Sequence, residues 1–188
     1  MKSELSGVKF EVSFLTVALM SIVIIIDTSN KVLLCFLCAL IHEGGHLLSM
    51  FIFSVKPRGI KLRLFDIVID ADSGKSFFAD LVITLSGPLL NLLFAFVFYY
   101  IDYTMFVMNL LLGVFNLLPL ESFDGGHALY LLLCRKFSVF TSLLIIRVLT
   151  FVLLVPMFIL GVLVLFSSKY NYSLLLIALY LLAILFLK

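Results

Sequence analysis

His42 and His46 stand four residues apart in a long apolar stretch, with Glu43 directly after the first and Gly44-Gly45 between them. On a helix this spacing puts both imidazoles on one face, a turn apart. So placed they can share one Zn²⁺, while an adjacent glutamate serves as general base. Zinc lowers the pKa of a water it binds to about 7, so Glu43 need only accept and pass on the proton. Alone the pattern is only suggestive, because a match this short arises by chance. Its setting adds weight, since ionisable side chains are costly at membrane depth and rare there unless they face a functional interior. The alternative is a hydrogen-bonded packing cluster in which Gly44 and Gly45 let helices approach closely. It needs partners for three ionisable groups in a chain with few other polar residues.

A catalytic zinc commonly has three protein ligands and one open position. Candidates for the third are Asp124, Glu121, His127, Cys35 and Cys38. Cys35 and Cys38 occupy one turn of apolar helix with no second cysteine pair, and read as small buried hydrophobes. The others are separated by their depth in the membrane, and so by the elements that carry them.

Of the 188 residues, 64% are hydrophobic, and the mean hydropathy is +1.28. The chain is therefore expected to be an all-α polytopic membrane protein forming a single domain, 1–188, with no soluble appendage. Six stretches approach the roughly 20 apolar residues a spanning helix needs: about 10–26, 32–53, 79–100, 104–119, 138–166 and 171–187. The first resembles a secretory signal, but no small-residue cleavage site follows, so it is expected to be a retained span. The fourth breaks at Pro119, and a further short helix is expected at about 125–134. In the polar segment 54–80, alternation in Ile60-Lys61-Leu62-Arg63-Leu64 and the turn signal Asp72-Ser73-Gly74-Lys75 predict a short cytoplasmic β-hairpin.

With the N-terminus inside, ten Lys and Arg residues fall on the inner side, from Lys2 to Lys188. Only Lys31 and Lys169 fall outside, and Arg147 alone lies within a span. Cytoplasmic loops carry such an excess, so both termini are expected in the cytoplasm. A net charge of +2 gives no reason to expect a nucleic-acid partner. Three cysteines in or beside apolar runs imply no disulfide framework.

At 1.5 Å per residue, His46 lies about 10 Å from the inner end of its helix, and the fourth helix, descending from the other side, breaks after about 22 Å. That leaves the break about 8 to 10 Å short of the inner edge of a roughly 30 Å core. The two features meet at one level, which selects Asp124 as the third ligand; a helix N-cap is another role for it, compatible with ligation. Gly125-Gly126 permits the tight backbone there. Glu121 reads as a solvated loop charge, and His127 as a partner of the site or a membrane-edge residue. On the third stretch, Gly87-Pro88 kinks the helix and frees a carbonyl, and Asn91 brings an amide to membrane depth.

Together, His42 to His46, Ser86-Gly87-Pro88-Leu89-Leu90-Asn91, and Asn116 with Pro119, Asp124 and Gly125 resemble the site-2 protease family of intramembrane metalloproteases, the M50 peptidases. The match covers about 32–134, the expected catalytic core, and leaves the C-terminal helices at about 138–187 outside. The resemblance implies one zinc per chain held by His42, His46 and Asp124, with Glu43 as base and Asn91 and Asn116 as auxiliary polar groups. It also implies peptide-bond hydrolysis in a single-pass or membrane-associated protein substrate, a bacterial cell-membrane location, and a membrane regulator. With neither a PDZ insert nor a CBS domain in view, the layout is most similar to short forms related to the sporulation protease that releases a sigma factor. Two other classes are a divalent-metal transporter using the same His/Asp site and an inactive protease-like scaffold.

Overall fold

The computed structural model describes residues 2–5, 8–12, 21–23, 25–62, 67–71, 76–168, 175–176 and 178–182. The chain divides into two compact units, 1–114 and 115–188.

The first unit holds a four-stranded sheet and the helix that carries the two histidines. Strands β1 (Lys2–Leu5), β2 (Val8–Val12), β3 (Pro57–Leu62) and β4 (Ile67–Ala71) lie side by side in that order. The outer pairs are antiparallel, and β2 pairs parallel with β3. A parallel pair needs a long crossover, and here it contains helix α1 (Lys31–Ile52). β3 and β4 occupy the segment in which a hairpin is expected; the residues joining them, 63–66, are not described. A lone hairpin in an all-α chain is thus corrected to a four-stranded sheet in a mostly helical one. The expected first span, 10–26, is corrected at its start, because residues 10–12 belong to β2. Val8-Lys9-Phe10-Glu11-Val12 alternates with the period of a strand, a signal outweighed by the apolar run that follows it.

α1 starts after Asn30, whose φ of 56° is left-handed, and its exposed backbone donors are met from outside the cap position. The Asp27 carboxylate accepts from the Val32 N–H at 2.6 Å and the Ser29 N–H at 3.0 Å. Its bonds to the Ser29 hydroxyl and to Val32 hold that carboxyl below the usual carboxylate range. α2 (Phe77–Phe98) has an ordinary cap: the Ser76 hydroxyl accepts from the Ala79 N–H at 3.2 Å, and Asp80 in the first turn suits the helix dipole. α3 (Tyr103–Asn116) follows a short turn. Tyr99, Tyr100 and Tyr103 are exposed around that turn, the placement of aromatic side chains at a membrane–water interface.

α1 and α2 touch backbone to backbone at Gly45. A Cβ there would lie 2.5 Å from the Ser86 carbonyl oxygen and 3.0 Å from the Gly87 Cα, whereas one on Gly44 would meet nothing within 4 Å. The Ser49 and Ser86 hydroxyls close the contact at 2.7 Å. Gly45→Ala is therefore expected to lower stability by about 1–3 kcal/mol, the usual cost of overpacking. Gly44→Ala should be neutral or stabilising by up to about 1 kcal/mol through helix propensity. Thermal unfolding of the two variants in detergent micelles would separate them, and equal midpoints would contradict this packing.

In the second unit, α4 (Asp124–Leu133) and α5 (Val139–Ser168) follow the turn 117–123. Pro119 explains why α3 stops at Asn116, since the residue before a proline is steered away from helix and the proline lacks a donor. Leu120, Leu154 and Leu181 form the core of this unit, with Phe123 and Met157 packed on it. The turn is pinned by the Glu121 N–H donating to Thr150 Oγ1 at 2.9 Å and by Arg147 Nε at 3.3 Å from Glu121 Oε2. Glu121 is thus the partner of the one cation left within a span, with its side chain only 15% exposed, and not a solvated loop charge.

By length and composition, three helices among the described residues, α1, α2 and α5, can cross a membrane. α3, at 14 residues, is about 21 Å long, too short to cross alone. The expected first and sixth spans fall largely outside the described residues.

Candidate metal centre

His42 lies on the buried side of α1 and His46 one turn further along, half-buried. Their outer ring nitrogens are both committed. His42 Nδ1 is 2.7 Å from Asn91 Oδ1 on α2. The Asn91 amide nitrogen donates to the Cys38 backbone carbonyl at 3.0 Å and to Asn109 Oδ1 at 2.9 Å. Two acceptors, the Cys38 carbonyl and Asn109 Oδ1, together keep the amide from turning round, so His42 Nδ1 carries the hydrogen. His46 Nδ1 donates to another backbone carbonyl, that of Ile83, at 2.8 Å.

Both rings therefore present the lone pair of Nε2, and these two atoms are 3.2 Å apart. Two lone pairs at that distance repel; a shared cation turns them into ligands. For Zn–N bonds of about 2.05 Å, nitrogens 3.2 Å apart subtend about 103° at the ion, close to the tetrahedral value. Space for an ion is kept by Gly87. A Cβ on that residue would collide with His46 Nε2 and lie 2.6 Å from His46 Cε1 and 2.9 Å from His42 Nε2. Pro88, by lacking an N–H, leaves the Thr84 carbonyl without its helical donor. The carbonyl that His46 uses is Ile83's, one residue earlier.

Asp124 is the first residue of α4; the cap position belongs to Phe123. In the first turn a carboxylate is favoured by the helix dipole. Gly125 and Gly126 let the turn fold back on the start of the helix. Side chains there would collide with the Leu117 and Leu120 carbonyl oxygens respectively. His42, His46 and Asp124 are a donor set that could hold a metal ion. Two imidazoles and a carboxylate suit zinc as ligands. Glu43 follows His42 on α1, half-buried, and Asn116 ends α3. His127 is exposed, its ring 6.0 Å from that of Tyr130.

The structure is similar to that of the site-2 protease from Methanocaldococcus jannaschii, with a TM-score of 0.72 and 26% sequence identity over 96% of this chain and 91% of that one. That likeness supports a place in the site-2 protease family. No family model matches its sequence, and no curated protein matches it. Its apolar helices and this likeness make it an integral membrane protein.

Reasoning from sequence missed three contributors to the histidine geometry. Asn109 is fully buried and bonded to Asn91. Its only sequence signal is an amide isolated in an apolar helix. Cys38 is buried as a small hydrophobe should be, yet its carbonyl and sulfur both receive amide hydrogens. Gly87 stands out in sequence as a kink beside a proline, whereas in the structure it leaves the space at the imidazole nitrogens.

Proposed function

We propose that this protein is an intramembrane zinc metalloprotease that cuts membrane-embedded or membrane-associated proteins near the cytoplasmic face. The observation that carries the reading is the pair of histidines, both held in the tautomer that turns Nε2 inward, which with Asp124 make a donor set able to hold a metal ion. Those three residues would hold one Zn²⁺. When bound, the ion polarises the scissile carbonyl and acidifies water. Glu43 takes a proton from the attacking water as its oxygen bonds to the carbonyl carbon, and gives it to the amine nitrogen as the C–N bond breaks. Asn91 orients His42, and Asn116 serves as an auxiliary polar group at the end of α3.

The topology that fits this reading has six spans with both termini in the cytoplasm, as the Lys and Arg distribution suggests. A substrate helix must unwind first, because its carbonyls already accept hydrogen bonds. A groove of about 440 Å³ begins at Leu47, next to His46, and runs to Pro57 at the start of β3. It is the place we assign to the unwound segment. The substrate class is a single-pass membrane protein of a bacterial cell membrane.

Purified protein in proteoliposomes is expected to contain one zinc per chain and to cleave members of a panel of single-pass proteins. A chelator should stop cleavage and added zinc should restore it. His42→Ala should lose both metal and activity. Cleavage that persists after the metal has been removed would sink this reading. Zinc flux dependent on His42, with no cleavage of any panel member, would favour transport instead.

A further inference from the structure

His42 depends on Asn91 for its tautomer, and Asn91 in turn depends on a residue outside the three motif segments. Asn91 and Asn109 are both completely buried, so each amide hydrogen and carbonyl that loses its partner there has no water to replace it. Asn109 uses both of its N–H groups, donating to the Met105 backbone carbonyl at 2.9 Å and to Cys38 Sγ at 3.2 Å. The Met105 carbonyl can only accept, so Asn109 cannot turn round, and its Oδ1 must face the Asn91 amide nitrogen at 2.9 Å. Reversing Asn91 would set its oxygen against two acceptors, the Cys38 carbonyl and Asn109 Oδ1. The direction of every hydrogen bond, from the Met105 carbonyl on α3 through two amides to the imidazole on α1, follows from the carbonyls of Met105 and Cys38.

We propose that Asn109 is a positioning residue of the metal centre, acting through Asn91 to keep the hydrogen of His42 on Nδ1 and the lone pair of Nε2 toward the ion. This rests on the reading of His42 as a metal ligand, but its first consequence belongs to the metal-free protein. The neighbouring His46 is held by the Ile83 carbonyl and serves as an internal control, because nothing done to Asn109 changes that bond.

The test is ¹⁵N NMR of histidine-labelled, metal-free protein in micelles at about pH 8, where imidazole is neutral. Asn109→Leu keeps the approximate volume and removes every polar atom. Asn109→Asp, neutral when buried, keeps the acceptor for Asn91. In the wild type, His42 is expected as the Nδ1–H tautomer alone. Asn109→Leu should give a mixture of tautomers at His42 with His46 unchanged, and Asn109→Asp should restore the single form. Zinc affinity, read by competition with a chelator, should fall about 10- to 100-fold in Asn109→Leu, the range usual for groups that orient a ligand. It should recover in Asn109→Asp. An Nε2–H tautomer at His42 in the wild type would overturn the proposal even if no variant folds. So would an Asn109→Leu protein with an unmixed tautomer and affinity within twofold of wild type. Failure of the metal reading looks different: His42→Ala would leave zinc content unchanged, whatever the tautomers.

Discussion

Gly87→Ala is expected to abolish metal binding while leaving a folded protein. The added methyl would occupy the space in front of the two Nε2 atoms, colliding with His46 Nε2 and lying 2.9 Å from His42 Nε2. What gives way is the end of a side chain: the His46 ring swings off, breaks its 2.8 Å bond to the Ile83 carbonyl and takes its lone pair elsewhere. The cost to the fold is partly offset by the gain of about 1 kcal/mol from replacing a helical glycine. Zinc affinity, in contrast, loses a ligand and the volume for the ion together. The loss should exceed the 10- to 100-fold typical of altering a group that merely orients a ligand. Zinc content after dialysis and a thermal unfolding curve, measured on one sample, decide the matter. Retained stoichiometric zinc would mean that the ion does not sit between these nitrogens. Gly45→Ala is the contrasting case, because its methyl meets the Ser86 backbone, which cannot swing away.

That contrast shows how far the site is legible in the sequence. The i, i+4 pair is visible because helical phase is a local property, so His42 and His46 fall on one face of α1 whatever surrounds them. Asp124 is reached by a longer argument, the break at Pro119 and a depth estimate. Contacts made across the fold have no such local signature. Nothing in Asn109 itself says that its partners are Asn91, 18 residues before it, and Cys38, 71 residues before it. Arg147 and Glu121 are 26 residues apart and become a pair only when α5 passes the turn. The same holds for β2, whose short alternating segment pairs with β3 across the whole of α1 while β1 pairs only with β2. Glycines are the least legible, because the sequence marks a missing side chain without saying what occupies its place.

Glu43→Gln should give the largest separation between binding and chemistry. The substitution preserves size and hydrogen-bonding capacity but removes the basic oxygen, so a zinc site built from His42, His46 and Asp124 should keep its metal, with affinity changed only a few-fold. Activity should fall by about 10²- to 10⁴-fold, the contribution of a positioned general base, and in a membrane assay that is indistinguishable from none. The position of Glu43 favours this split. It follows His42 directly, so the helix turns it about 100° away from the ligand face, and it is half-buried where His42 is buried. A residue so placed sits beside an ion without being compelled to bind it. If Glu43 were instead a ligand, Gln would strip zinc in parallel with activity. If it only supported packing, both would survive and the unfolding midpoint would move. Zinc content, cleavage of a single-pass substrate and thermal stability of one variant therefore discriminate base, ligand and structural roles. Full zinc with lost cleavage and an unmoved midpoint is the combination that assigns the proton transfer to this carboxylate.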